Sequence, residues 1–153
     1  MMKLSCDVIA ALNGRTLATA ESCTGGGIGF ALTTVPGSSS VYKGGIISYT
    51  NEIKISRLGV DRDLLDRVGA VSAPVAEAMA FGARKELSAD IALSVTGLAG
   101  PGADEFGNAV GTVFIGYASN EKLLSREFHF SGDREEVRHQ AVEAALRLAL
   151  LES

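Results

Sequence analysis

The spacing of apolar positions along the chain predicts helices that alternate with buried strands. Apolar side chains recur at helical spacing from Leu4 to Leu12, and Asn13-Gly14 ends that helix. Ile91–Val95 is a short and almost uniformly apolar run, the pattern of a strand that is buried on both faces. Ser72 precedes the clearest helix of the chain, whose early proline is tolerated because it falls in the first turn.

The remaining elements follow from the same pattern. Strands are predicted where Leu17 and Ala18 lead to Ser22, and at residues 41–50, 112–118 and 122–130. One helix is predicted over Ile28–Leu32. Three further helices are predicted, each after an N-cap residue: Asn51, Asp61 and Asp133. Glu136, three residues after Asp133, is in the position of a capping box. The three residues between the last two strands suit an antiparallel hairpin. This order predicts an α/β fold, a three-layer α/β/α sandwich on a mixed sheet, as one domain over residues 1–153.

Two glycine-rich segments carry most of the candidate chemistry. The first, Glu21-Ser22-Cys23-Thr24 followed by Gly25, Gly26 and Gly27, links a strand to a helix. A helix N-terminus has unpaired N–H groups that attract an anion or an oxyanion, and glycine allows a close approach to a ligand. The second is the long loop 96–111. Because both follow parallel strands, they are predicted to meet at one edge of the sheet. A helix cap without function explains the first segment equally well.

Composition and charge narrow the classes of function. The 153 residues carry a net charge of −4 with an isoelectric point near 5.2, so no basic surface predicts binding to nucleic acid or to a membrane. No apolar run approaches the roughly 18 residues of a membrane span, and the acidic N-terminal segment lacks the features of a signal peptide. The two cysteines, Cys6 and Cys23, indicate free thiols in a cytoplasmic protein.

The chain lacks a convincing Ser-His-Asp set. Its two histidines, His129 and His139, fall late in a strand and a helix and have no metal-ligand spacing, so neither a metal site nor a histidine base is predicted. A neutral lysine can activate a serine instead, and Lys54 is the candidate base for Ser22. Cys23 is an alternative nucleophile, because a helix N-terminus favours a thiolate, although a buried cysteine there would be inert.

Two arginines complete the candidate set. Arg134 and Arg138 lie one turn apart at the start of the last helix, where they could grip a phosphate or a carboxylate together. They could equally pair with neighbouring acidic side chains. The spacing alone leaves both interpretations open.

Seven motifs in order resemble the CinA C-terminal domain family, and the match extends from about Leu4 to Leu151. The motifs are Thr19–Gly26, Gly37–Ser39, Ser48–Lys54, Gly69–Val75, Ser94–Gly102, Val110–Val113 and Ser131–Arg134. A collinear set of this size is far more specific than any single glycine pattern. The resemblance implies a five-stranded mixed sheet and the stand-alone form of a domain that follows a molybdopterin-binding-like domain in larger relatives.

The resemblance also implies an activity. It is the hydrolysis of nicotinamide mononucleotide to nicotinate mononucleotide and ammonia, without a metal or another cofactor. Ser22 would be the nucleophile, Lys54 its base and Tyr49 a positioning hydroxyl. Thr96 and the loop after it, with Gly97 and Gly100, would help to bind the substrate. The chemistry of the residues themselves adds Cys23, Thr24, Gly25, Gly26 and Arg134 as candidates for substrate binding, through the N–H groups of the turn and through the guanidinium. The partner would be a small nucleotide, with no nucleic acid or membrane, and the chain could form a homodimer.

One departure from the family pattern concerns the substrate. Relatives usually carry a Lys-Pro pair where this chain has Asn108-Ala109, which removes a positive charge and a rigid residue near the site. The sequence therefore defines the substrate preference less well than it defines the type of reaction. Two alternatives to the serine amidohydrolase remain: a hydrolase that uses Cys23, and a non-catalytic nucleotide-binding or interaction module connected with competence or DNA damage.

Overall fold

The computed structural model describes residues 1–153, and a five-stranded sheet forms its centre. The strands lie in the order β2-β1-β3-β4-β5. The first three are parallel to one another, whereas β4 and β5 continue the sheet in antiparallel fashion. Their bounds are β1 Leu17–Glu21, β2 Tyr42–Ile47, β3 Ile91–Gly97, β4 Thr112–Ala118 and β5 Leu123–His129. The predicted hairpin and the predicted mixed sheet are confirmed.

Six α-helices cover the two faces of the sheet. One layer consists of α1, α2 and α6, which contact one another, and the other of α5 with α3 and α4 packed against it. The bounds are α1 Met2–Ala11, α2 Gly27–Thr33, α3 Asn51–Leu58, α4 Arg62–Val68, α5 Ala73–Glu86 and α6 Arg134–Glu152. This arrangement is the predicted three-layer sandwich. None of the helices combines the length and the apolar composition that crossing a membrane requires.

Alternation of side chains along the central strands creates a separate core on each face. Leu17, Leu93 and Val95 pack towards α1, α2 and α6, while Ala18 and Ala92 pack towards α5. Small residues face α5 because that helix crosses the sheet closely: a Cβ at Gly116 would lie 2.4 Å from the carbonyl oxygen of Ala76. The apolar run that predicted β3 is buried on both faces, as expected.

Two local predictions were wrong. The strand predicted over residues 41–50 ends at Ile47, and it is an edge strand in which Ile47 faces solvent, as does Tyr49 beyond it. Thr50, not Asn51, caps α3, because the extended backbone at Thr50 lets its hydroxyl accept the N–H of Ile53. The caps predicted at Asp61 and Asp133 are confirmed, the second with a complete capping box.

Five chain segments meet at one edge of the sheet. The parallel strands β1, β2 and β3 all end there, and β5 ends there too because it is antiparallel to β4. Helix α6 begins immediately after β5. This edge therefore brings together Ser22, the residues after Ile47, the end of β3 and the first turn of α6.

Candidate active site

A cleft of about 480 Å³ opens at this edge of the sheet. Its walls come from the ends of β1 and β3, the first turn of α3, the loop after β3 and the start of α6. The lining residues are Ser22, Cys23, Tyr49, Asn51, Lys54, Ala70, Val71, Thr96, Gly97, Leu98, Ala99, Gly100, Pro101, Gly102 and Arg134. Three candidate substrate-binding residues, Thr24, Gly25 and Gly26, are not among them.

Lys54 and Ser22 are in direct contact at the bottom of the cleft. The Lys54 Nζ lies 3.1 Å from the Ser22 Oγ, and its side chain is only 1 % exposed. The same nitrogen lies 2.8 Å from the carbonyl oxygen of Ser48 and 3.3 Å from that of Tyr49. Helix α3 begins three residues before Lys54, so the first turn of the helix brings this amine to Ser22 at the end of β1.

The three oxygen contacts of Lys54 suit both protonation states of the amine. As an ammonium, its Nζ donates to the Ser22 Oγ and to the carbonyl oxygens of Ser48 and Tyr49. After loss of one proton, the two remaining N–H groups can stay with the carbonyl oxygens, and the lone pair then faces the hydroxyl of Ser22. Burial lowers the pKa of Lys54 from its ordinary value of 10.5 to about 8, since removal from water disfavours the charged form. No carboxylate forms an ion pair with Lys54. In its neutral form Lys54 can therefore act as a general base towards the Ser22 hydroxyl at a pH well below the ordinary pKa of lysine.

The anion site predicted at the N-terminus of α2 is already filled by the protein itself. Glu21 is 2 % exposed, and its carboxylate accepts the N–H groups of Ile28 and Gly29 at 2.8 and 3.0 Å. The hydroxyl of Thr24 donates to the same carboxylate at 2.6 Å. Helix α2 begins five residues after Ser22, not at it. The helix terminus thus anchors the turn and is closed to a ligand.

The backbone of the turn after Ser22 still offers donors. The Gly25 N–H is not among these donors, because it donates to the Ser22 carbonyl oxygen at 3.1 Å. The N–H of Thr24 has no acceptor within the protein, and the N–H of Cys23 has none other than its own thiol. An N–H on the residue that follows a nucleophile is a common component of an oxyanion hole.

Thr24, Gly25 and Gly26 contribute no side chain to the lining of the cleft, although the sequence grouped them with its ligand-binding residues. The Thr24 side chain is buried against Glu21. The glycines have positive φ angles of +59° and +106°, and they turn the chain below α6 and beside Ile47. Their function in the structure is to shape the turn that carries Ser22.

Arg134 and Arg138 do not act as a pair. Arg134 lines the cleft, where its guanidinium donates to the carbonyl oxygen of Gly100 at 2.6 Å and lies 3.2 Å from the hydroxyl of Tyr49. Arg138 points instead to the carbonyl oxygens of Cys23 and Thr24, at 2.9 and 3.4 Å. The cleft therefore contains one guanidinium and one phenol side by side at its rim.

The end of β3 forms the opposite wall. The Thr96 hydroxyl donates to the carbonyl oxygen of Ala70 at 2.9 Å, which attaches the segment before α5 to the sheet. Gly97 has no room for a side chain, because a Cβ would lie 2.6 Å from Val113. Gly100 has a φ of +97° and presents its carbonyl oxygen to Arg134. All three line the cleft, mainly with backbone atoms.

The environment of Cys23 is unfavourable for a nucleophile. Its side chain is 6 % exposed, and burial raises the pKa of the thiol from its ordinary value of 9.0 to about 11. Attack requires a thiolate, which burial suppresses at neutral pH. The Cys23 thiol therefore belongs to the core that surrounds the turn.

Several residues of the site were not identified from the sequence. Ser48 holds Lys54 through its carbonyl oxygen, and Asn51 and Val71 line the cleft. Asn108 donates to the carbonyl oxygen of Val71 at 3.0 Å and to Asp104 at 2.7 Å, so it connects the long loop to the cleft wall. Main-chain contacts of this kind leave no signal in a sequence, although the aspartate and asparagine four residues apart indicate a turn.

The histidines lie outside the cleft, as their positions in the sequence suggested. His129 lies 2.6 Å from Glu127 on β5, and His139 is an exposed residue of α6 within 4.0 Å of Glu143. Neither histidine lines the cleft that contains Ser22 and Lys54.

The fold and the cleft define a class of protein: an α/β/α sandwich that places a buried Ser–Lys pair at the carboxyl edge of its parallel strands. Comparison with known proteins is more specific. The model of the CinA C-terminal domain matches residues 2–152, and the chain belongs to that family.

Individual relatives agree with this assignment. The chain is similar to a CinA-like protein of Thermosynechococcus vestitus, with 54% identity over 121 residues that make up 78% of this chain and 29% of that protein. It is similar to a CinA superfamily protein of Klebsiella pneumoniae, with 33% identity, a TM-score of 0.96 and coverage of 99% and 96% of the two chains.

A third relative is the competence/damage inducible protein CihA of Agrobacterium tumefaciens, with 37% identity, a TM-score of 0.94 and coverage of 98% and 93%. The chain spans about a third of the length of the curated relatives that it matches.

Proposed function

We propose that this protein is an amidohydrolase that converts nicotinamide mononucleotide to nicotinate mononucleotide and ammonia through a Ser–Lys mechanism. The observation that carries the proposal is the buried Lys54 Nζ at 3.1 Å from the Ser22 Oγ, with a pKa lowered to about 8. A protein that only binds nucleotides has no need for a neutral base against a serine. The family resemblance supplies the substrate.

The first step is acylation of Ser22. Lys54 takes the hydroxyl proton while the Ser22 Oγ attacks the carboxamide carbon, and the carbonyl oxygen becomes an oxyanion. The N–H groups of Cys23 and Thr24 are the donors available to that oxyanion. The protonated Lys54 then delivers its proton to the amide nitrogen, the C–N bond breaks and ammonia leaves.

The second step regenerates the enzyme. Lys54 is neutral again and takes a proton from a water molecule that attacks the ester on Ser22. The acyl–oxygen bond breaks, the proton returns to Ser22, and the carboxylate product leaves. These steps require no metal and no redox partner.

Arg134 is proposed to bind the phosphate of the nucleotide. Its guanidinium lies at the rim of the cleft beside Tyr49, where a dianion would remain partly hydrated. The N-terminus of α2, occupied by Glu21, cannot take this role. The Tyr49 hydroxyl accepts a hydrogen bond from the Arg134 guanidinium and so positions it, and the same hydroxyl can donate a hydrogen bond to the substrate.

The test is to incubate the purified protein with nicotinamide mononucleotide and to measure ammonia and nicotinate mononucleotide together. Ser22→Ala is expected to lower the rate by several orders of magnitude while leaving binding nearly intact. Binding without turnover in the wild-type protein would support the alternative, a non-catalytic nucleotide-binding module. Substantial turnover by Ser22→Ala with loss of turnover in Cys23→Ala would contradict the assignment of the nucleophile.

A further inference from the structure

Arg138 makes contacts that the proposed reaction does not yet explain. It lies one helical turn after Arg134 on α6, but it faces the turn after Ser22 instead of the cleft. Its Nε donates to the carbonyl oxygen of Cys23 at 2.9 Å, and its Nη2 lies 3.4 Å from the carbonyl oxygen of Thr24. A Cβ at Gly25 would come within 3.4 Å of the same Nη2, so the glycine allows this close approach.

Two carbonyl oxygens at the start of this turn are held by backbone hydrogen bonds. Gly25 N–H donates to the Ser22 oxygen, and Gly27 N–H donates to the Thr24 oxygen. The Cys23 oxygen, which lies between them, has no backbone donor, and Arg138 is its sole hydrogen-bond partner. The arginine thus holds a peptide group that no backbone N–H holds.

Holding a carbonyl oxygen also orients the N–H of the same peptide group. The peptide is planar and trans, so the Cys23 carbonyl and the Thr24 N–H point in opposite directions. Arg138 pulls the carbonyl towards α6 and thereby turns the Thr24 N–H away from α6. That N–H has no acceptor in the protein.

We infer that Arg138 is a positioning residue of the oxyanion hole, which orients the peptide group between Cys23 and Thr24 and adds positive charge behind it. The inference rests on the proposed amidohydrolase function. It assigns different roles to two arginines of one helix: Arg134 serves the substrate phosphate, and Arg138 serves the developing oxyanion.

The charge of Arg138 reaches the turn. Burial raises the pKa of the Cys23 thiol to about 11, and the positive charge of Arg138 acts in the opposite direction as the largest contribution from another charged residue. The electric field of Arg138, which favours a thiolate at Cys23, also favours an oxyanion nearby.

The kinetic test compares Arg138→Met with Arg134→Met. Arg138→Met is expected to lower kcat by about tenfold to a hundredfold and to change KM by less than about twofold, because an oxyanion exists only in the transition state. Arg134→Met is expected to raise KM. Arg147→Met, which removes an arginine that pairs with Glu143 elsewhere on α6, is the control and should match the wild type. A raised KM with unchanged kcat in Arg138→Met would make Arg138 a substrate contact and overturn the inference.

A second readout does not depend on the nucleotide. An alkyl fluorophosphonate modifies an activated serine: the Ser22 Oγ forms a bond to phosphorus, the P–F bond breaks, fluoride leaves and the proton passes to Lys54. Arg138→Met should slow this modification, measured by intact-protein mass spectrometry, by a factor similar to the loss in kcat. Labelling at the wild-type rate would overturn the inference. If the wild type labels but releases no ammonia, the proposed substrate fails while this comparison still decides the role of Arg138.

Two conservative variants separate positioning from stability. Arg138→Lys keeps the charge and Arg138→Gln keeps one donor, so each should recover part of the labelling rate lost in Arg138→Met. Their thermal unfolding is measured in parallel. If Arg138→Met does not fold, the Lys and Gln variants alone decide: wild-type kcat and wild-type labelling in both would overturn the inference.

Discussion

At the scale of single residues, the chemistry of the cleft depends on burial more than on charge pairing. Lys54 is almost inaccessible and has no carboxylate partner, so its positive form is disfavoured. Cys23, its neighbour at the end of β1, is buried in the same region, and there burial disfavours the reactive anion. One physical cause therefore lowers the pKa of the lysine and raises the pKa of the thiol.

The kinetics should show the lowered pKa of Lys54. The neutral amine is the active form, so kcat/KM is expected to rise with pH through an apparent pKa near 8 and to level off above it. Lys54→Met keeps the length of the side chain without the base, and it should lose this pH dependence and about two to four orders of magnitude in rate.

Lys54→Arg is the matched control, because a guanidinium keeps its proton and should be equally inactive. Near wild-type turnover in Lys54→Met would eliminate the Ser–Lys mechanism. A pH profile that rises only near pH 10.5 would show that burial does not lower the pKa of Lys54.

The reactivity of the two thiols should differ sharply. Cys6 is exposed, whereas Cys23 is buried with a pKa raised to about 11. Iodoacetamide at pH 8 is therefore expected to add one carbamidomethyl group to the native protein and two to the denatured protein, as measured by mass spectrometry. Alkylated native protein should retain full activity. Rapid labelling of Cys23 that abolishes turnover would restore the cysteine mechanism.

At the scale of single elements, the helices α2 and α6 are capped by different means. The first turn of α6 has an exposed capping box formed by Asp133 and Glu136. The first turn of α2 has no capping side chain at Gly26. The buried carboxylate of Glu21, contributed by the preceding strand, accepts two of its N–H groups instead.

This difference predicts unequal losses of stability. Glu21→Ala leaves two helix N–H groups and the Thr24 hydroxyl without partners in a buried place, and it should lower the free energy of unfolding by about 3 kcal/mol. Asp133→Ala at the exposed cap of α6 should lower it by about 1 kcal/mol. Urea denaturation at constant pH measures both. Equal losses would show that the contacts of Glu21 contribute no more than an ordinary cap.

At the scale of the whole molecule, the cleft is built from segments that are distant in the chain. Ser22 and Lys54 are 32 residues apart, and Arg134 reaches Tyr49 across 85 residues. The long loop after β3 is attached to the cleft wall by Asn108, which bonds to the Val71 carbonyl oxygen across 37 residues. Asn108 therefore supplies an attachment between this loop and the cleft wall.

Asn108→Ala should loosen this wall. We expect KM to rise by about threefold to tenfold, the equivalent of about one hydrogen bond, with little change in kcat. Backbone amides of residues 98–111 should exchange with deuterium faster. Asn120→Ala, in the turn between β4 and β5, is the control and should leave both measurements unchanged. Unchanged KM and exchange in Asn108→Ala would show that the attachment is dispensable.

The sequence by itself determined the layers and the order of the elements, and it predicted the pairing of Ser22 with Lys54. Uniform apolar runs indicate buried strands, helical spacing indicates covering helices, and parallel strands place their carboxyl ends at one edge. The spacing at the start of α6 suggested Arg134, and the family motifs added Tyr49 and Thr96; all three line the cleft. The shorter β2 and the Thr50 cap escaped prediction because backbone geometry, not residue type, decides them.

Only the tertiary structure decided which polar groups are used and which are free. The sequence showed an open helix N-terminus, but Glu21 occupies it from the preceding strand. The sequence showed two equivalent arginines. In the helix, however, Arg134 faces the cleft, whereas Arg138 faces the carbonyl oxygens of Cys23 and Thr24. Burial is a property of the whole packed chain, so the lowered pKa of Lys54 and the raised pKa of Cys23 arise only after the layers assemble.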